Sequence, residues 1–144
     1  MTTKYNLPLL ALFSLILLLA VTACKKYDDG PAISLTSRTE RVANTWVIDQ
    51  ATADGNNVTS DFDNYVLTLT SDGDATLLAT YTVFGADFTF DTNGTWNFQN
   101  SDEELVMDFE NDAADGTYQI RRLTETQLWL RQVGDDLELH LKTQ

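Results

Sequence analysis

From Trp46 onward, apolar and polar positions alternate with a period of two. The pattern is clear in Tyr65-Val66-Leu67-Thr68-Leu69-Thr70, Asp87-Phe88-Thr89-Phe90-Asp91 and Thr95-Trp96-Asn97-Phe98-Gln99, and again in Leu137-Glu138-Leu139-His140-Leu141-Lys142. Alternation of this kind predicts strands with one buried face. Asp72-Gly73, Gly85-Ala86, Asn93-Gly94, Asp115-Gly116 and Gly134-Asp135 fall between them and supply the positive φ angles that tight turns need. With polar breaks near Ser101-Asp102 and Glu125, the punctuation recurs about every ten residues, the spacing of an antiparallel barrel or sandwich. The expectation is an all-β, up-and-down antiparallel meander of eight or nine strands, with no helix after residue 44 and no repeat. Before it, Ser37-Arg38-Thr39-Glu40 has the form of a capping box and predicts a short helix at about 37 to 43.

Parity assigns an inner face: Trp46, Ile48, Tyr65, Leu67, Leu69, Leu77, Tyr81, Val83, Phe88, Phe90, Trp96, Phe98, Leu105, Met107, Phe109, Tyr118, Ile120, Leu128, Leu130, Leu137, Leu139 and Leu141. Of these, Trp46, Tyr65, Tyr81, Phe88, Phe90, Trp96, Phe98, Met107 and Tyr118 are candidates to line a cavity, joined by Arg122, which has inward parity after Tyr118 and Ile120. Phe84, Leu123, Trp129 and Val133 are apolar with outward parity. They are covered by the N-terminal helix, or the register slips by one at a bulge, or they form a partner surface.

The N-terminal segment follows a different rule. Leu7 to Val21 is almost entirely apolar, follows a polar stretch whose one cation is Lys4, and contains Pro8. It is shorter than the roughly 20 residues a membrane-spanning helix needs and fits the apolar region of a secretory signal. Val21-Thr22-Ala23-Cys24 resembles the bacterial lipobox: an aliphatic residue, two small ones and a cysteine. The resemblance implies cleavage before Cys24, diacylation of its thiol and acylation of the new amine. Two acyl chains give stable anchoring where one gives only marginal binding. The chain then divides into a cleaved signal at 1–23, a tether at 24–34 and a barrel domain at 35–144. Ten tether residues reach about 17 Å r.m.s.. Lys25 stands where inner-membrane retention would call for Asp. The acidic run after the cysteine is similar to surface-export signals of Bacteroidetes lipoproteins. The address implied is the outer membrane, lipid-anchored and exposed on the cell surface, with the periplasmic side as the alternative.

A short helix, Asn44-Thr45-Trp46 opening the first strand, and an up-and-down meander resemble the lipocalin pattern. Closer still are the small lipocalin-like domains of Bacteroidetes lipoproteins, which share a tethering Cys, a strand-Asp-Gly-strand hairpin and a central Gly-x-Trp, here Gly94-Thr95-Trp96. Asn44 replaces the usual Gly, and no long C-terminal helix follows the meander. The resemblance covers roughly residues 35 to 144. It implies that the first-strand Trp46 packs against an arginine near the end of the barrel, for which Arg122 is the candidate.

Composition and charge narrow the partners. The whole chain carries a formal charge of −13, and because only Lys4 of the charged residues lies in the signal, the mature part carries −14. That field repels phosphate backbones and excludes nucleic acid as a partner. Groups that could run catalysis are scarce. His140 is the one histidine and reads as a solvated strand residue, Cys24 is consumed by lipid, and the nucleophile-elbow, dinucleotide and P-loop motifs are absent. Asp108 to Asp112 faintly resembles a calcium loop, but Ala113 stands where the loop needs Gly. No enzyme, no metal site and no cofactor beyond covalent lipid are expected.

Two functions compete. One is a barrel binding a small apolar ligand; the other is a filled barrel acting as an accessory module toward an envelope protein or glycan. The two Trp, three Tyr and four Phe on the inner face favour filling, whereas the resemblance favours binding. The interior decides between them: a connected apolar pocket above about 300 Å³ supports a ligand.

Overall fold

The computed structural model describes residues 35–144. The signal, the lipobox residues Val21 to Cys24 and the tether lie outside the described residues. Helix α1 (Arg38–Val42) forms through the capping box, with Ser37 Oγ accepting from the Glu40 amide at 3.2 Å and Glu40 accepting from the Ser37 amide at 2.9 Å. It is followed by β1 (Thr45–Ala53), β2 (Asn56–Asn57), β3 (Phe62–Leu69), β4 (Asp74–Val83), β5 (Ala86–Gln99), β6 (Glu104–Phe109), β7 (Gly116–Leu123), β8 (Gln127–Gln132) and β9 (Glu138–Thr143). Each neighbouring pair is antiparallel, and β1 also pairs with β9. Eight strands therefore close into an up-and-down barrel, with β2 an added two-residue strand beside β1. After α1 the only helical pieces among the described residues are three-residue 3-10 turns at Thr59–Asp61 and Asp112–Ala114.

One end of the barrel is packed solid. Trp46, Leu67, Leu105, Leu123, Leu128, Leu130 and Leu141 are fully buried there, together with Val42 of α1. Trp46 Nε1 donates to the Val42 carbonyl at 2.8 Å, which ties the helix to the first strand and satisfies a buried donor. The guanidinium buried at this end comes from Arg41, whose Nη1 donates to the Leu123 carbonyl at 3.0 Å.

Bulges change the parity expected from the sequence in two places that matter. The register shifts between Ile120 and Arg122, so Leu123 turns inward and is fully buried, and Arg122 turns outward. Leu123 is thus no part of a partner surface, and Arg122 neither lines the interior nor meets Trp46; it lies 5.0 Å over the Trp129 ring on the outer wall. A second shift between Ile48 and Gln50 brings Ala51 into the core. Each bulge adds one residue on one strand, and one residue exchanges the faces of all that follow.

Asn93-Gly94 does not turn the chain. Both residues lie inside the 14-residue β5, where Gly94 pairs with Phe109. A Cβ on Gly94 would fall 2.1 Å from the Asp108 carbonyl oxygen and 2.6 Å from Phe109 Cα, so this glycine permits close approach of two strands. A hairpin does form at Asp54-Gly55, with φ of 50° and 76°, between β1 and β2. Gly94→Ala should cost about 2 kcal/mol or more through backbone overpacking. Gly55→Ala, with nothing within 4 Å of its Cβ, should cost only about 1 kcal/mol for its positive φ. Urea unfolding of the two variants checks the order.

Candidate functional site: an open-ended cavity

The second half of the barrel stays open, walled by aromatic side chains with alanines at inward positions beneath them. Register places the layers: Trp46 opposite Leu67 and Leu67 opposite Leu77 in the packed half, Ala79 opposite Phe90 above them, and Tyr81 between Phe62 and Phe88 at the top. Ala51 and Ala79 are fully buried where larger residues would fill the bore. Above them lies a cavity of about 630 Å³, lined mainly by Ala53, Val58, Phe62, Tyr81, Phe88, Phe90, Ala114, Tyr118, Leu137 and Leu139. Its volume falls within the range of small-molecule sites, roughly 300–1,000 Å³.

The mouth is formed by the ends of β1, the β4–β5 and β8–β9 hairpins and the connection into β7. Asp61 and Asp115 stand at the rim with Thr82 and Gln132, and among the described residues no lysine or arginine lines the cavity. Asp115 Oδ1 accepts from the Phe109 amide at 2.7 Å, which holds the β6–β7 connection in place. Phe84 forms the tip of the β4–β5 hairpin at φ 51°, a left-handed conformation seldom taken by a bulky residue, and is fully exposed.

Of the cavity candidates, Tyr81, Phe88, Phe90 and Tyr118 line the space. Phe88 is 53% exposed at the rim and not interior. Trp46, Trp96 and Met107 are buried in the packed core, where Phe98 meets Trp96 edge-on at 5.3 Å. Trp96 Nε1 donates to the Thr70 carbonyl at 2.8 Å, pinning the β3–β4 hairpin over the closed end. Tyr65 is 6% exposed one layer below Tyr81, with ring centroids 6.3 Å apart. Residues absent from the sequence reading, Ala53, Val58, Phe62 and Ala114, complete the walls. Phe62 meets Tyr81 edge-on at 5.0 Å and extends the aromatic cluster.

The four partner-surface candidates do not form one patch. Phe84 and the half-exposed Val133 are at the mouth end, Leu123 is in the core, and Trp129 is on the outer wall. Trp129 is cross-strand neighbour to both Arg122 and His140; its ring stacks on His140 at 4.0 Å and 7°. His140 in turn hydrogen-bonds Glu138 Oε1 at 2.6 Å, and Arg122 Nε donates to Gln127 at 2.8 Å. The indole is thus engaged on the barrel's own surface.

No protein-family model matches the chain, and no curated protein matches its sequence. Among solved structures it is similar to the crystal structure of a lipocalin-like protein from Bacteroides uniformis, at 13% identity and a TM-score of 0.53, over 72% of this chain and 99% of the other. The fold is lipocalin-like. What the lipocalin-like barrel encloses is consequently the feature to be explained, because the likeness is one of fold. Among the described residues, no group of three or more His, Cys, Asp or Glu is placed to hold a metal ion.

Two phenols, Tyr81 and Tyr118, line the cavity, and a third, Tyr65, is buried in the layer beneath. None of the hydroxyls of Tyr65, Tyr81 and Tyr118 has a hydrogen-bond partner among the described residues. Their oxygens stay open to the space around them, since Arg41 Nε is the one fully buried side-chain donor or acceptor without a partner among the described residues. Burial raises all three pKa values: Tyr118 is pushed up to about 12, and Tyr65 and Tyr81 go higher, with repulsion from the neighbouring phenolates adding to the effect at those two. The folded state thus holds these protons to a higher pH than the unfolded chain does. Their contribution to stability is complete below about pH 10 and falls as pH rises past it. Absorbance at 295 nm should show these phenols ionising together with unfolding, and Tyr118→Phe should raise the alkaline midpoint.

Proposed function

We propose that this chain is a lipid-anchored outer-membrane lipoprotein whose barrel binds a small, predominantly apolar molecule without covalent chemistry. The observation that carries the proposal is the cavity of about 630 Å³, apolar along most of its wall and open at one end. A filled accessory barrel has no use for a void of that size, whose lining forgoes packing contacts. The aromatic residues anticipated on the inner face divide between the halves: Trp46 and Trp96 pack the closed end, whereas Tyr81, Phe88, Phe90 and Tyr118 line the cavity.

Support for the anchor rests on the sequence: the apolar run from Leu7 to Val21, the lipobox-like Val21-Thr22-Ala23-Cys24 and the tether that follows. The fold adds a direction. Thr36, just after the tether, hydrogen-bonds Glu125 in the β7–β8 turn at 2.9 Å, and Arg38 pairs with Asp102 in the β5–β6 turn at 2.9 Å. Both turns are at the closed end. The tether therefore joins the barrel opposite the mouth, and an anchored protein would present its opening away from its own lipid. Ligand exchange would then occur with the exterior or with another envelope component.

Two measurements test the proposal. A neutral fluorescent probe, N-phenyl-1-naphthylamine, should bind the protein, and Ala53→Trp, which places an indole in the cavity wall, should weaken it about tenfold or more, equivalent to about 1.4 kcal/mol. Full-strength binding in that variant would place the probe elsewhere and end the cavity reading. Palmitate labelling in cells should be lost in Cys24→Ala; labelling that persists would remove the anchor.

A further inference from the structure

The cavity is apolar along most of its wall, but its chemistry is not uniform with depth. Tyr81 and Tyr118 face it, and Tyr65 lies one layer deeper, 6% exposed and edge-on to Tyr81. Each carries a hydroxyl unmatched by any donor or acceptor among the described residues. These hydroxyls are not sealed from solvent, so water can satisfy them in the free protein, and a ligand that displaces that water must offer an acceptor in its place. Burial also keeps the phenols protonated far above neutral pH, so each remains a hydrogen-bond donor under all physiological conditions.

The charges around the site select among acceptors. Among the described residues no cation lines the cavity, Asp61 and Asp115 stand at its rim, and the whole chain carries a formal charge of −13. A carboxylate entering there would pass two like charges and lose its hydration with no counter-ion to receive it. An ammonium group would be drawn to the rim by Asp61 and Asp115, but entering the apolar part of the cavity would cost its hydration with no carboxylate there to pair it. An uncharged oxygen meets neither obstacle, and its lone pairs match the donors.

Building on the ligand-binding reading, we infer that Tyr81 and Tyr118, with Tyr65 in the layer beneath them, form a hydrogen-bond-donating patch on the cavity wall that selects uncharged apolar molecules bearing a carbonyl or comparable oxygen acceptor. The aromatic and aliphatic walls take the hydrocarbon part, and the phenols take the oxygen. Discrimination arises because a ligand lacking the oxygen leaves the buried hydroxyls unpaired.

The test uses a matched set of competitors against N-phenyl-1-naphthylamine: decan-2-one, its isostere 2-methyldec-1-ene, decanoate and decan-2-amine. The ketone should displace the probe at about tenfold lower concentration than the olefin, the value of one neutral hydrogen bond, and should also outcompete the acid and the amine. Tyr81→Phe/Tyr118→Phe should bring ketone and olefin to near equality, and Tyr65→Phe should reduce the preference in the same direction. Thermal melts confirm that each variant is folded. Equal competition by ketone and olefin in the unaltered protein would mean that the phenols are satisfied by water only, and would overturn the inference. So would a preference that survives all the tyrosine variants, or tighter binding of decanoate or decan-2-amine. If Ala53→Trp excludes both ketone and olefin while they compete equally, this inference alone fails. If Ala53→Trp changes neither, the cavity reading fails with it.

Discussion

The ladder between β1 and β9, from Trp46 opposite Thr143 to Thr52 opposite Glu138, joins the two ends of a meander whose other pairings, apart from β1 with β3 past the short β2, are between consecutive strands. It removes both exposed edges of the sheet and turns an open ribbon with one apolar face into a closed wall with an inside. The core, the cavity and the outer-wall stack of Trp129 on His140 all depend on it, since β9 supplies Leu139 and Leu141 to the interior and His140 to the exterior. Closure is also the contact with the greatest sequence separation, so its entropic cost is met only after the local hairpins have formed.

Within that wall the barrel divides into a filled half and an open one. At the closed end, leucines pack around Trp46, while α1 lies across the bore and Trp46 Nε1 holds its Val42 carbonyl. At the other end, Ala51, Ala53 and Ala79 occupy inward positions, and the bore widens into the cavity. A rigid, filled base supporting an open pocket is an economical way for about a hundred residues to combine stability with binding. The filling contributes the burial that the open half forgoes.

The strands and their facing were largely legible in the sequence. Tyr65, Leu67, Leu69, Leu77, Trp96, Leu105, Met107, Phe109, Ile120, Leu128, Leu130, Leu139 and Leu141 are all buried as their parity predicts. The cavity was much less legible. Counting large inward residues suggested a filled interior, because the small ones that open it were not in the count and Ala51 reaches the core only past a bulge. Arg122 and Leu123 exchanged roles for the same reason at a second bulge, and the guanidinium at the closed end came from Arg41 on the helix. Asn93-Gly94 has the composition of a turn, yet its glycine serves a close approach to Asp108 and Phe109.

Taken alone, the sequence determined what neighbouring residues can encode: the period of two, the capping box at Ser37 and Glu40, the positive-φ turns at Gly73, Gly85 and Gly134, and the all-β meander, though Gly94 and Gly116 do not take positive φ. Those features depend on local dihedral preference and on which face of a strand a side chain occupies. The tertiary structure decided where the register slips, which strand approaches Gly94, which end of the barrel is filled and which tyrosines face the void. Each of these depends on a partner strand distant in sequence. A one-residue bulge leaves local composition unchanged while reversing every side chain beyond it.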